Sequence, residues 1–113
     1  MAARLCVVEA GGSVTVIGVG SLRCKYRDSF ADPKALEPDT PTRMAVDMGH
    51  TACELPADSR LALIVTSSSY PRIVPHPNVM AAPWSGAEPR KATQHILHDA
   101  AHPARLVLPV LEM

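Results

Sequence analysis

The sequence predicts an all-β protein, and three observations carry that prediction. Several short windows alternate apolar and polar side chains with the two-residue period of a half-buried strand. Eleven prolines among 113 residues interrupt the chain too often for long helices, because proline removes a backbone donor and clashes inside a helix. Aromatic residues make up only 4% of the chain, so a core has to come from aliphatic side chains. We therefore expect a single domain that is part of a β-sandwich.

The first two predicted strands form a hairpin. The windows "RLCVVE" (4–9) and "VTVI" (14–17) flank Gly11, Gly12 and Ser13, a connection short enough for a hairpin loop.

Five further windows are predicted strands. They are "LRCKYR" (22–27), "RMAVDM" (43–48), "RLALIVTS" (60–67), "TQHIL" (93–97) and "ARLVLPV" (104–110). The first two alternate in polarity. The window at 60–67 is a continuous apolar run, which is typical of a strand covered on both faces.

The predicted loops are rich in proline. The segment 31–41 has room for one helical turn at 34–36 before its prolines end it. The segment "YPRIVPHPNVMAAPWSGAEP" (70–89) is a long mixed loop. A loop of that length in a compact domain is normally functional or packed on a partner.

Charge and cysteine usage exclude several classes of function. Eleven basic and eleven acidic residues cancel, whereas a nucleic-acid surface normally carries a basic excess. No apolar run approaches the ~20 residues of a membrane-spanning helix, and the N-terminal apolar patch is too short for a secretory signal. Cys6, Cys24 and Cys53 form no Cys-x-x-Cys pair, which favours reduced thiols. We therefore expect a cytoplasmic protein that binds neither nucleic acid nor membranes.

Two short motifs resemble nucleotide-binding or catalytic sequences only superficially. Gly18 and Gly20 follow a β-branched run, but a dinucleotide-binding turn needs a third glycine where this chain has Arg23, and then a helix. The glycines are interpreted instead as a flexible connection to the next strand. The serines at 67–69 lie in no Gly-x-Ser-x-Gly elbow, and a turn follows them rather than a helix. The sequence therefore predicts no catalytic residue and no cofactor.

The C-terminal histidines are the candidate metal site. On a helix, His95, His98 and His102 would share a face with Asp99 and could bind zinc. On a strand, His95 and His98 point to opposite faces and the site is lost. Because the surrounding residues favour a strand, we expect surface or interface histidines and no bound metal.

Two further groups carry weaker signals. The set Asp47, His50, Glu54 and Asp58 could form an acid–base group, but its spacing does not distinguish it from a solvated strand edge. Trp84, the only tryptophan, could stack on a sugar, although a single tryptophan more often fills a packing gap.

Five segments, in order along the chain, carry a resemblance to a known family. They are "LRCKYRDSF", "LEPDTPTRMAVDM", "RLALIVTSSSYPR", "HPN" and "ATQHILHDAAHPARLVLPVL". Over Arg4 to Leu111 the chain resembles the C-terminal portion of the cocaine esterase and X-prolyl dipeptidyl peptidase family of serine hydrolases. Several segments in one order are far more specific than any single motif in this sequence.

The resemblance implies a jelly-roll β-sandwich, similar to galactose-binding folds, without catalytic residues. Enzymes of this family also have an α/β-hydrolase domain with a Ser-Asp-His triad and a helical cap. Residues 1–113 would be the C-terminal part of the sandwich, which packs on the catalytic domain in cis or in trans, shapes its cleft and contributes to homo-oligomer contacts. The residues expected at this interface are Tyr70, Arg72, His76, Asn78 and Trp84.

The chain departs from the family pattern in its length and in two local motifs. The family sandwich is longer, so its early strands would precede Met1, and the chain alone would be unstable or would associate through exposed edges. The family has Gly-His-Arg where this chain has Asp58-Ser59-Arg60, and the loop at 73–80 lacks the family's charged pair.

Two other interpretations stay open. The chain could be a stand-alone sandwich that binds carbohydrate through Trp84 and nearby polar groups. It could also be an inactive gene fragment. In the preferred interpretation the parent enzyme transfers a dipeptidyl or small acyl group to water through a serine nucleophile.

Overall fold

The computed structural model describes residues 1–111 and contains one three-stranded sheet. The strands β1 (Ala2–Val8), β2 (Val14–Ser21) and β3 (Arg60–Thr66) pair antiparallel in the order β2-β1-β3. The helical structure in the described part of the chain is a single 3-10 turn at Cys24–Tyr26. No helix within residues 1–111 has the length and apolar character needed to cross a membrane. The all-β prediction is confirmed.

The predicted hairpin at the N-terminus is also confirmed. In the loop between β1 and β2, the Gly12 N–H donates to the Glu9 carbonyl at 2.9 Å, and the Glu9 N–H donates to the Ser13 carbonyl at 2.9 Å. Gly12 has φ of 85°, a left-handed conformation that glycine adopts without a steric penalty. β2 continues past the predicted window to Ser21.

β1 is the centre of the fold. It pairs with β2 along one edge and with β3 along the other, so its backbone groups are satisfied on both sides. Its apolar side chains are buried on both faces of the sheet, with Ala3, Leu5 and Val7 on one face and Ala2 and Cys6 on the other. The core of the described chain is therefore this strand.

β3 forms where the sequence predicts it, but the prediction that it is covered on both faces is wrong. It lies at the edge of the sheet and contacts only β1 among the described strands. Leu63 is 46% exposed and Ile64 is 44% exposed, and consecutive residues of a strand point to opposite faces. Covering such a run needs a further layer on each face, which β1 and β2 cannot provide.

The window 22–27 is not a strand. The Tyr26 N–H donates to the Arg23 carbonyl at 2.8 Å, and the Arg27 N–H donates to the Cys24 carbonyl at 3.2 Å. These bonds span three residues and close a 3-10 turn, which is incompatible with the extended backbone that the alternation predicted.

Four other predicted elements are also absent as regular structure. The segments 43–48, 93–97 and 104–110 are irregular rather than strands, and no helical turn forms at 34–36. A strand exists only where a neighbour completes its ladder, and none of these segments pairs with a described strand.

The side chains of residues 43–48 nevertheless alternate between half-buried and exposed positions, as their sequence pattern predicts. Met44, Val46 and Met48 are half-buried, whereas the residues between them are exposed. The segment turns its apolar side inward without joining the sheet.

Gly18 and Gly20 lie inside β2 and do not form the flexible connection that the sequence suggested. They lie on the face of the sheet that carries Ala3 and Leu5. A Cβ atom at Gly20 would overlap the carbonyl of Asp47 and lie 2.8 Å from Cγ1 of Val46. The missing side chain at Gly20 therefore lets the segment 46–48 cross β2 at close range.

We expect Gly20→Ala to destabilise the protein and Gly18→Ala to be nearly neutral. Overpacking a close contact costs about 1–3 kcal/mol, whereas a Cβ at Gly18 would meet its neighbours at 3.7 Å, which is ordinary van der Waals contact. Thermal unfolding of the two variants measures the difference. Equal melting temperatures for both would show that the segment 46–48 does not lie on β2.

Candidate functional site

A tight turn follows β3 and carries Tyr70 at its tip. The Ile73 N–H donates to the Ser69 carbonyl at 2.8 Å, and Ser69 is buried. Nη2 of Arg4 donates to Oγ of Ser69 at 2.6 Å, which ties the turn to the central strand. Tyr70 is 77% exposed, so a fixed turn presents an aromatic ring to solvent.

The loop that contains Trp84 is closed at its base. The Arg90 N–H donates to the Pro77 carbonyl at 2.9 Å, and Nδ2 of Asn78 donates to the Arg90 carbonyl at 2.8 Å. Asn78 has φ of 57°, a conformation that asparagine tolerates better than most residues. The ends of the loop 77–90 therefore lie side by side, as in compact Ω-loops.

Two basic side chains from the 3-10 turn region reach the Trp84 loop. Nζ of Lys25 donates to the Met80 carbonyl at 2.8 Å and lies 3.5 Å from the Ala81 carbonyl. The guanidinium carbon of Arg23 lies 5.8 Å from the centroid of the Trp84 ring, within the range of a cation–π interaction. The indole itself stays 81% exposed. The loop is thus tethered, and its tryptophan faces solvent.

His76 lies at the base of this loop. Its Nδ1 accepts from the Asn78 N–H at 3.0 Å, so in the neutral ring the proton is on Nε2. Nε2 is buried and has no hydrogen-bond partner within the described chain. Burial, together with the nearby charges of Lys25 and Arg23, lowers the pKa of His76 below its ordinary value of 6.5.

The C-terminal candidate metal group does not come together. Oδ1 of Asp99 accepts from the N–H groups of Ala101 at 2.9 Å and His102 at 2.8 Å, and it lies 3.1 Å from Nδ1 of His102. The backbone bond from His102 is the main reason that the pKa of Asp99 lies below its ordinary value. Within residues 1–111, no three His, Cys, Asp or Glu side chains are placed to hold a metal ion.

An open cavity beside the end of β3 has no catalytic set. It has a volume of about 280 Å³ and lies between the end of β3 and the segment 92–96. Its lining includes the hydroxyls of Thr66 and Ser67 but no His, Asp, Glu or Lys. A serine nucleophile needs an adjacent base to accept its proton, so this cavity does not supply the chemistry of a hydrolase.

The comparisons with known proteins identify the family. The sequence model of the X-Pro dipeptidyl-peptidase C-terminal non-catalytic domain matches residues 1–107. The chain belongs to this family. Comparison with curated proteins and with solved structures found no match. X-Pro dipeptidyl-peptidase C-terminal domains are β-sandwiches, and the three antiparallel strands are consistent with part of one.

The five residues that the sequence singled out as interface residues separate into two groups. Tyr70, Arg72 and Trp84 are exposed. His76 is half-buried, and Asn78, although exposed, donates to the loop's own backbone. The first three side chains are therefore exposed to solvent, whereas the last two stabilise the loop, and the predicted interface stays a prediction.

Sequence reasoning missed the side chains that hold the two loops. They are Arg4, Ser69, Lys25 and Arg23. In the sequence, Arg23 and Lys25 lie on the polar side of the alternating window 22–27. Their regular spacing was visible in the sequence, but their contacts with residues more than fifty positions away were not.

We expect Lys25→Met to loosen the Trp84 loop. A hydrogen bond from a charged donor contributes about 1.5–3 kcal/mol, so amides of residues 78–86 should exchange with solvent roughly ten- to a hundred-fold faster. Hydrogen exchange measured by mass spectrometry tests this. Lys34→Met is the matched control, because Lys34 pairs only with exposed carboxylates. Unchanged exchange in Lys25→Met would contradict the tether.

We expect the stability of the loop to fall as the pH drops below about 6.5, the ordinary pKa of His76. The folded state binds this proton less readily than the unfolded state, so its stability is complete above that pH and declines below it. An NMR titration of the His76 ring should give a pKa below 6.5 that rises in Lys25→Met, since a like charge is removed. A pKa that is the same in both proteins would contradict the proximity of the two groups.

Proposed function

We propose that this chain packs on the α/β-hydrolase catalytic domain of an X-Pro dipeptidyl-peptidase and shapes one wall of its substrate cleft. The family match over residues 1–107 supports a non-catalytic role beside such a domain. Residues 1–113 would form the C-terminal part of the sandwich. The apolar side chains that β3 exposes on both faces support further sandwich layers around it.

The observation that carries this proposal is the exposure of two large aromatic side chains on anchored loops. Tyr70 and Trp84 bring a large contact area with few rotatable bonds, which is typical of residues that dominate interfaces. Anchoring through Arg4 and Lys25 reduces the ordering that binding would otherwise require. Arg72, which is exposed between the two aromatic residues in sequence, would add a charged contact.

In this arrangement the chemistry belongs to the catalytic domain. A serine of that domain attacks the acyl carbon of the substrate, the amine or alcohol leaves, and water then hydrolyses the acyl-enzyme to release the dipeptide or small acid. The present chain would act on the reaction through the shape of the cleft, in cis or in trans. The resemblance to cocaine esterases extends the proposed substrates from Xaa-Pro amides to esters.

The test is to measure binding and turnover when the chain is joined to, or mixed with, the catalytic domain. Truncation of an interface aromatic typically costs more than 1–2 kcal/mol, so Tyr70→Ala and Trp84→Ala should each weaken docking by roughly ten-fold or more. They should also raise KM for an Xaa-Pro p-nitroanilide, because the cleft wall is displaced.

Phe30→Ala is the matched control. Phe30 is 86% exposed, and among the described residues its ring stacks on Tyr26 alone, with centroids 5.5 Å apart. An equal loss of docking in Phe30→Ala would show that aromatic exposure in general, rather than these two loops, is responsible. No docking by the unmodified chain would reject the proposed function.

The exposed indole also favours a second candidate, a carbohydrate-binding module. Sugar rings stack on exposed tryptophans through their apolar faces. A change in Trp84 fluorescence across a panel of glycans, without docking to the catalytic domain, would support this candidate instead.

A further inference from the structure

Arg23 and Lys25 carry charges that no carboxylate neutralises within residues 1–111. The nearby ion pairs involve other groups, since Asp28 and Asp32 pair with Arg27 and Lys34. Both side chains are half-buried, where charge interactions are stronger than in open water. The protein therefore holds excess positive charge beside the exposed Trp84.

The guanidinium of Arg23 contacts the Trp84 ring but keeps its hydrogen-bond donors unpaired within the described chain. It lies over the indole of Trp84, and its side chain makes no hydrogen bond to the described chain, unlike that of Arg27, which binds three backbone carbonyls. A guanidinium has five N–H donors in a plane and binds carboxylates in a two-point geometry. The cation–π contact holds the guanidinium beside the ring, where its N–H groups can reach a partner.

We propose that Arg23 and Trp84 form one recognition element for an acidic side chain that borders an apolar pocket on the catalytic domain. The indole would enter the pocket and the guanidinium would pair with the carboxylate at its rim. This inference rests on the proposed function and names the chemistry of the partner surface. It makes Arg23 a specificity-determining residue of the docking surface.

The charge of this patch favours that occupant over two others. A second copy of the chain would bring the same positive charge against Arg23 and Lys25 in a symmetric contact, which is repulsive. A neutral sugar could stack on Trp84 but would leave the charge of Arg23 unpaired. An acidic side chain beside an apolar pocket would pair with the guanidinium while the pocket accepts the indole ring.

The experiment uses the chain with 5-fluorotryptophan at Trp84, its only tryptophan, titrated with the catalytic domain of the peptidase. The fluorine NMR signal reports this ring alone. We expect the signal to shift on docking, and we expect Arg23→Gln to weaken docking by about ten- to a hundred-fold. Arg23→Lys should give an intermediate loss, because it keeps the charge but not the planar fork. Docking should weaken at high ionic strength in the unmodified chain and lose most of that dependence in Arg23→Gln.

Arg43→Gln is the matched control, since it removes the same charge from an exposed position outside the two loops. Circular dichroism and melting curves establish that each variant is folded. A charge reversal identifies the partner residue. Arg23→Glu should prevent docking, and replacing the facing acidic residue of the catalytic domain by arginine should restore it.

The outcomes separate this inference from the proposed function. If the unmodified chain docks and Arg23→Gln weakens docking no more than Arg43→Gln does, the inference is wrong and the proposed function stands. If the unmodified chain does not dock, both are wrong. A fluorine shift caused by concentrating the chain alone would indicate a second copy as the occupant, and a shift caused only by sugars would indicate a glycan. Either result would overturn the inference.

Discussion

The hydrogen-bond ladders on both edges of β1 are the constraint on which the rest of this structure depends. A middle strand has no unpaired backbone groups, so it can be buried on both faces without leaving donors or acceptors unsatisfied. Short aliphatic side chains and Cys6 fill those faces. Because the chain has so few aromatic residues, its core consists of small aliphatic side chains that backbone pairing on both edges of β1 holds close together.

Contacts that begin at β1 fix the positions of the loops that carry the candidate docking residues. Arg4, within β1, binds Ser69 and fixes the Tyr70 turn. At the start of the strand, the Leu22 N–H donates to the Met1 carbonyl at 2.9 Å, which brings the 3-10 turn region beside the sheet. From there Lys25 and Arg23 reach the Trp84 loop. The surface is therefore irregular in backbone but connected to the most buried strand.

Strand β3 and the two anchored loops both expose apolar side chains to solvent. β3 presents leucine and isoleucine to solvent on opposite faces, and the loops present Tyr70 and Trp84. A protein surface tolerates single apolar residues, but grouped exposure marks places where other surfaces bind. In the proposed function, contact with a catalytic domain is the physical basis on which this member of a non-catalytic domain family would influence a reaction.

Local periodicity, turn residues and ordered motifs were enough to predict the fold class, the N-terminal hairpin, the position of β3, the irregular loop at 70–89 and the family. Three features are visible only in the folded chain: β1 rather than β3 is central, the segment 46–48 passes close to Gly20, and Arg23 and Lys25 contact the Trp84 loop. The reason is that ladder pairing and side-chain tethers join residues far apart in sequence, and alternation records which face a side chain takes but not what covers it.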